Sequence, residues 1–258
     1  MGHEERTYVV TGAASGIGAA TADHLSAAGA RVVQCDVRDA DVTADLTTPA
    51  GRELLVSEVT RRTGGVIDGL IAVAGIAAPS PRTVRLNFFG TIATLEGLRP
   101  LLAAADRPRA VAVSSLSAIV AADEHVVDAC LSMDEEAAAT AATGAVEAGL
   151  GRVVYPSSKL ALNRWLRRAA LTPGWAKAGI PLNAVAPGVV DTETAHKAFL
   201  DDAATRALVS AAMPQPLGFP GPVAAIAALL AWTAGPENSF MTGQILYADG
   251  GAEATLRP

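Results

Sequence analysis

The chain reads as an α/β protein: a doubly wound parallel sheet with helices on both faces, in three layers (α/β/α). Three observations predict this. Short β-branched runs alternate with longer helical patterns along the 258 residues, and such alternation implies right-handed crossovers between parallel strands. The runs are nearly continuous in apolar residues, as strands buried on both faces must be. The first run also leads straight into a glycine-rich turn that opens a helix.

The elements follow in chain order. Strands are expected at Tyr8-Val9-Val10, Arg31-Val32-Val33, Gly69-Leu70-Ile71-Ala72-Val73, Ala110-Val111-Ala112-Val113, Pro181-Leu182-Asn183-Ala184-Val185 and Gln244-Ile245-Leu246-Tyr247. Helical periodicity marks residues 17–28, 50–63, 87–104, 158–170 and 222–233. The connection from Asp36 to Asp45 is too short for a full helix after the second strand. One domain, 1–258, is expected, because no linker rich in Pro, Gly or Ser divides the chain and no internal repeat is visible.

Two segments interrupt the alternation. Residues 116–154 form a long, Ala-rich insert. Within it Ser132-Met133-Asp134-Glu135 spells a capping box that opens a helix ending near Gly149. Residues 192–217 carry a helical pattern between Pro187-Gly188 and Pro214-Gln215-Pro216. Segments of this kind cluster at sites and oligomer surfaces, and the second is read as a substrate lid presenting Ala195, Phe199, Leu200, Leu208 and Met213.

Composition narrows the function. Half the residues are hydrophobic and 18% are charged, which suits a large core and not a disordered chain. The net charge of −6 and the lack of a Lys/Arg cluster exclude a nucleic-acid footprint. The longest apolar runs, such as 223–232, are about half a bilayer span. The first strand begins near Thr7, which leaves no room for a signal peptide, so a cytoplasmic protein without membrane association is expected. Cys35 and Cys130 have neither disulfide nor metal spacing and read as small packed hydrophobes. No metal is expected.

Chemistry is concentrated in a few motifs. In Thr11-Gly12-Ala13-Ala14-Ser15-Gly16-Ile17-Gly18, glycine permits a sharp turn and close approach to a pyrophosphate, which the helix N-terminus then favours. Asp36 ends the second strand, where a carboxylate accepts from ribose hydroxyls and repels a 2′-phosphate; Arg38 nearby would act the other way. Asp45-Leu46 is a candidate adenine pocket. Tyr155 and Lys159 stand one helical turn apart on one face. An ammonium there favours the phenolate and lowers the phenol's pKa, making Tyr155 a candidate acid/base. Ser115 ends the fourth strand, where a hydroxyl can hold a substrate oxygen or merely cap a turn. Asn87 opens a helix and reads by itself as a cap. Pro187-Gly188 follows a buried strand and would sit near the reactive end of a dinucleotide.

Together these motifs resemble the short-chain dehydrogenase/reductase family over essentially the whole chain. The resemblance rests on Thr11–Gly18, Asp36, Ala74-Gly75, Asn87, Ser115, Tyr155/Lys159, Asn183 to Gly188, and Thr242-Gly243-Gln244 leading to Asp249-Gly250-Gly251. It implies a Rossmann-type fold, with Tyr155 as acid/base, Lys159 tuning it and holding the nicotinamide ribose, Ser115 orienting the reacting oxygen and Asn87 completing a water-linked proton relay. Val190 and Thr192 would meet the nicotinamide amide. Ala72-Val73-Ala74-Gly75 replaces the family's Asn-Asn-Ala-Gly, and the serine-to-tyrosine interval, 115 to 155, is long. These departures, with the stretch 36–46 and the Arg257-Pro258 ending, resemble the bacterial 3α-hydroxysteroid dehydrogenase/carbonyl reductase branch.

The expected function is therefore NAD(H)-dependent interconversion of an apolar secondary alcohol, a hydroxysteroid among the candidates, and its ketone, with NAD(H) preferred over NADP(H). Epimerisation or dehydration, or a non-catalytic cofactor sensor on the same fold, are the alternatives. The family's usual four-helix dimer face uses the helices at 87–104 and 158–170. The insert is expected to cover that face and leave a homodimer built through residues 222–252.

Overall fold

The computed structural model describes residues 2–258. The elements run β1 (Thr7–Thr11), α1 (Gly16–Ala27), β2 (Arg31–Asp36), β3 (Val42–Thr43), α2 (Pro49–Thr63), β4 (Gly69–Ala72), α3 (Pro81–Val84), α4 (Thr91–Ala103) and β5 (Arg109–Val113). Then come α5 (Glu124–Leu131), α6 (Glu135–Glu147), α7 (Val154–Ala169), β6 (Leu182–Pro187), α8 (Glu193–Ala195), α9 (Ala203–Ala212), α10 (Val223–Thr233), β7 (Ile245–Ala248) and α11 (Ala252–Leu256). Among the described residues, seven strands join one sheet in the order β3-β2-β1-β4-β5-β6-β7, and every pairing is parallel. This is the Rossmann-type arrangement expected from the sequence.

Strand alternation builds the three layers. Val9, Leu70, Ala110, Ala112 and Ala184 face one way, into a core shared with Leu55 and Val59 of α2, Leu95 and Leu98 of α4, and Leu162 and Leu166 of α7. Tyr8, Val10, Ile71, Val111 and Val185 face the other way, against Leu25 of α1 and Ile226 and Leu230 of α10. Each fully buried leucine contributes about 1.5–3 kcal/mol. The central strands β4, β5 and β6 are buried along their whole length, whereas β7, at the sheet edge, is only partly covered at every position.

The chain switches direction between β1 and β4: strands β2 and β3 lie on one side of that pair and β5 to β7 on the other. In such sheets the crevice lies beyond the carboxyl ends of the strands at the switch point. The connection after β2 holds no helix, as expected. It does add β3, which pairs Cys35 with Val42 and Asp36 with Thr43; two residues are too few to show alternation. Past it, Thr48 caps α2 by accepting from Gly51 N at 3.1 Å, Pro49 occupies the first turn, and Gly64, with φ 67°, ends the helix.

The insert departs from its expected form. It holds two helices, and Ser132 ends α5 instead of capping α6. Asp134 is the cap, its Oδ1 accepting from Ala137 N at 2.9 Å. A carboxylate reaches the free N–H groups there, while Met133 reverses the chain at φ 62°. Helix α5 packs on α7, and α6 packs on α3. Val126, Val127, Cys130, Ala138 and Ala142 are all fully buried in the larger core. Asn87 likewise opens no helix. It lies inside a π-helical turn, Arg85–Gly90, that joins α3 to α4. No helix among the described residues is long and apolar enough to cross a membrane.

Candidate active site

A cleft of about 500 Å³ runs along the carboxyl edge of the sheet. Gly12, Ser15, Gly16, Ile17, Gly18, Asp36, Asp45, Leu46, Ala74, Gly75, Tyr155, Lys159 and Thr192 all line it, so thirteen of the residues singled out in the sequence converge there. Asn87, Ser115, Pro187, Gly188 and Val190 do not line it. Val190 packs into the core between sheet and α10 and bridges to Gly221.

The glycine turn is shaped by close backbone approach. A Cβ on Gly12 would stand 2.9 Å from the Ala74 backbone, and one on Gly18 would stand 2.0 Å from Gly12 O. Both side chains are therefore forbidden, and Gly12 and Gly16 also have φ of 67° and 54°. Thr11 Oγ1 accepts from Val73 N and Ala74 N at 3.1 and 3.2 Å, fastening the turn to the end of β4. This cradle, with the first turn of α1 open above it, fits a diphosphate.

At one end, Asp36 is held by its own strand end. Its Oδ2 accepts from Ala14 N at 3.0 Å and its Oδ1 from Val37 N at 2.7 Å. The carboxylate is thus fixed on the cleft wall with lone pairs to spare. Asp45 accepts from Thr47 Oγ1 at 2.7 Å and Thr47 N at 2.9 Å. The Thr47 hydroxyl, more than any other contact, holds the Asp45 carboxyl below its ordinary value. A Cβ on Gly51 would strike Asp45 O at 2.0 Å, so α2 can start only with glycine there. Arg52 reaches back to Leu46 O at 2.7 Å and pairs with Glu135 of α6 at 2.6 Å, tying this end to the insert.

At the other end stand Ser115, Tyr155 and Lys159. Tyr155 keeps part of its surface open to the cleft but is otherwise enclosed by protein. That desolvation raises its phenol above the ordinary value, and the neighbouring Ser115 side chain acts in the opposite direction. Lys159 is buried, its Nζ donating to Val113 O at 2.7 Å and lying 5.8 Å from the centre of the Tyr155 ring. Burial pushes the ammonium down to about 8. The expected lowering by the lysine is not seen in this geometry: burial sets the direction for the phenol, while Lys159 Nζ is turned to Val113 O.

Ser115 Oγ accepts from Ser117 Oγ at 2.9 Å and from Ser117 N at 3.1 Å. Both contacts leave its own proton free to donate. The partner Ser117 escaped the sequence reading; the signal was Ser115-Leu116-Ser117, a spacing that returns the second hydroxyl to the first. Asn87 is fully buried and satisfied: Oδ1 accepts from Ile76 N and Nδ2 donates to Ile76 O, both at 2.9 Å, and to Ser158 Oγ at 3.1 Å. It pins the end of β4 to the turn of α7 that carries Lys159. Ser157 on the same turn accepts from Asp123 N at 2.9 Å, fastening the insert beside Tyr155.

The lid segment places its apolar residues differently from the expectation. Ala195 and Leu200 are buried against Val189, with Phe199, Val209, Met213 and Phe219 around them. They fill a small core of their own. Leu208 faces outward and is 72% exposed, because α9 rests on one narrow stripe. Thr192 meets the cleft near Gly16, but its Oγ1 caps α8 by accepting from Ala195 N at 3.2 Å. Cys35 and Cys130 are buried free thiols, both pushed up to about 12 by desolvation.

Comparison with known proteins places this geometry. A family model described as enoyl-(acyl carrier protein) reductase matches residues 12–253. The 3-alpha-hydroxysteroid dehydrogenase/carbonyl reductase of Comamonas testosteroni is 34% identical over 254 residues, 97% of each chain. The cis-4-hydroxycyclohexanecarboxylate dehydrogenase of Sinomonas cyclohexanicum is 34% identical over 271 residues, again 97% of each. The crystal structure of the 3-alpha-hydroxysteroid dehydrogenase from Pseudomonas sp. B-0831, complexed with NADH, superposes with a TM-score of 0.88 at 38% identity. That superposition covers 97% of this chain and 98% of the other.

Proposed function

Because the chain belongs to the short-chain dehydrogenase/reductase family, we propose that it interconverts an apolar secondary alcohol and its ketone with NAD(H), preferred over NADP(H). The observation that carries this reading is the placing of Tyr155 and Lys159, with Nζ 5.8 Å from the ring centre, in a cleft whose far wall holds Asp36. The dinucleotide, when bound, supplies or takes the hydride. The chain's residues do the rest. Ser115 donates to the reacting oxygen, with Ser117 holding it in place. Tyr155 gives the proton to the ketone oxygen in reduction and takes it back in oxidation. Lys159 holds the ribose and places positive charge near the phenol. Asn87, whose amide is fully committed to Ile76 and Ser158, acts by fixing this end of the cleft.

Gly12, Ser15, Gly16, Ile17 and Gly18 would hold the diphosphate, Asp45 and Leu46 the adenine, and Ala74 and Gly75 the span between. Thr192 would meet the nicotinamide side from the cleft wall, sharing its hydroxyl with α8, while Pro187, Gly188 and Val190, behind the wall, would set the path of the turn that carries it. Asp36 would bind the ribose hydroxyls and exclude a 2′-phosphate. The hydroxysteroid and hydroxycyclohexane substrates in the relatives' names support an alicyclic substrate.

A panel of alicyclic and aromatic alcohols and ketones, followed by cofactor absorbance with NAD(H) and with NADP(H), tests this. Net turnover with NAD(H) is expected, and Asp36→Ala should narrow its lead over NADP(H). Absence of net turnover across the panel, or better turnover with NADP(H), would refute the corresponding half of the reading. The raised phenol also fixes a sign. Oxidation needs the phenolate and should climb with pH into the alkaline range; reduction needs the phenol and should fall only there.

The chain is further proposed to act as a homodimer through α10 and β7. Ala224, Ala225, Ala228 and Trp232 of α10 face solvent, Phe240 is 99% exposed, and β7 presents an uncovered sheet edge. The insert lies on α7 and α3, which supports the reading that it covers the alternative surface. Solution mass should be that of a dimer, and Phe240→Arg should yield monomer; a wild-type tetramer would contradict the proposal.

A further inference from the structure

We infer that Gln215, a residue outside the cleft, is a positioning residue for the nicotinamide end of the cofactor site. The inference rests on the dinucleotide-binding reading above.

The turn that follows β6 is held by unusual means. Gly188 N donates to Ala248 O at 3.2 Å, but the next residue, Val189, lies beyond the last strand pairing. Val189 is buried, so its backbone polar groups need partners. Gln215 supplies them from its side chain. Its Oε1 accepts from Val189 N at 2.5 Å, and its Nε2 donates to Val189 O at 3.2 Å and to Gly218 O at 3.1 Å. One primary amide thus stands in for a neighbouring strand. Pro214 and Pro216 flank it and have no N–H to offer.

The fit is close. A Cβ on Gly188 would lie 2.5 Å from Gln215 Oε1, so glycine at 188 is what admits the amide. Gly221 completes the clamp, donating from N to Val189 O and accepting at O from Asp191 N, both at 2.9 Å. Residues 188–191 are therefore held between β7, Gln215 and Gly221. They lead directly into Thr192, which lines the cleft opposite Gly16. Gln215 is itself buried and absent from the cleft wall, so any effect it has on the cofactor passes through this turn.

Gln215→Glu gives the test. The carboxylate can accept from Val189 N but cannot donate to Val189 O, whereas the protonated acid can do both. Binding of NAD and of ADP-ribose, which lacks nicotinamide, is measured by calorimetry at pH 8.5 and 5.5 as the variant-to-wild-type ratio. NAD affinity should fall about tenfold at the higher pH, the scale of one or two lost hydrogen bonds. It should recover toward wild type at the lower pH, while ADP-ribose stays near wild type throughout. Gln215→Leu, which removes all three bonds without a charge, should weaken NAD alone and at both pH values. NAD binding unchanged in both variants, or NAD and ADP-ribose weakened equally, would overturn the role assigned to Gln215. A wild-type protein that binds neither NAD nor NADP would overturn the functional reading itself, and this inference with it.

Discussion

The insert and the lid segment look alike as sequence, both Ala-rich and helical, yet the fold uses them in opposite ways. The insert is absorbed into the main core: Val126, Val127, Cys130, Ala138 and Ala142 are fully buried. The lid segment buries only Ala195, Leu200 and Gln215, and α9 has no buried residue. Its apolar side chains pack on one another and on Val189. A helix joined to the core is scaffold, and the insert ends at the residue before Tyr155. A helix pair with its own small core can shift without costing the main core anything. On the proposed function, the chemistry would be attached to the segment built into the core and substrate access would fall to the one that is not.

The largest expected effect tests the rigid half. Val127→Asp places an unpaired charge in the main core and should cost at least ~3 kcal/mol. Leu208→Asp, on the exposed face of α9, should stay within about 0.5 kcal/mol. Denaturant unfolding reads both, and equal losses would break the distinction. A finer comparison uses two leucines. Leu162→Ala in α7 should lose about 2–5 kcal/mol of global stability. Leu200→Ala should leave the global midpoint nearly unchanged and instead raise KM for the alcohol or ketone. A large drop in Tm for Leu200→Ala would show that the lid segment folds with the core.

How much of this was legible in advance follows the same division. Six strands and the cleft residues from Gly12 to Lys159 could be read because buried parallel strands and tight glycine turns leave strong local marks. Strand β3 has only Val42 and Thr43 and leaves no period. The cap at Asp134 was misplaced to Ser132 because both residue types cap helices, and only the reversal at Met133 decides between them. Asn87 looked like a helix start, but its partners, Ile76 and Ser158, come from elsewhere in the fold. Gln215 makes contacts set by tertiary packing, with Val189 26 residues away, and the lid's inward face could not be known before its own small core was seen.

The smallest expected effect lies in the lid segment. His196 bridges Asp201 and Asp191, with ring-to-carboxylate distances of 2.7 Å on each side. The Asp201 contact first, and the Asp191 contact next, raise its pKa above the ordinary 6.5. Lys197, Glu193 and Asp202 are the charged neighbours on the same segment. A raised value means that the bridge contributes fully below pH 6.5 and is lost as pH climbs through the folded value. Amide exchange over residues 196–201 should therefore quicken from pH 6 to pH 9 more than intrinsic exchange predicts. His196→Ala should remove the excess, and an unchanged excess in that variant would discount the bridge.

The central claim, that Tyr155 carries the proton in a cleft that binds the dinucleotide independently of it, is tested most directly by Tyr155→Phe. Turnover of the best ketone found in the panel and the affinity for NADH are measured on the same preparation. Turnover should fall by ~10²–10⁴-fold, the usual cost of a lost general acid, while NADH binds within about threefold of wild type, because one lost hydrogen bond costs little more. Near-normal turnover in Tyr155→Phe would contradict the account.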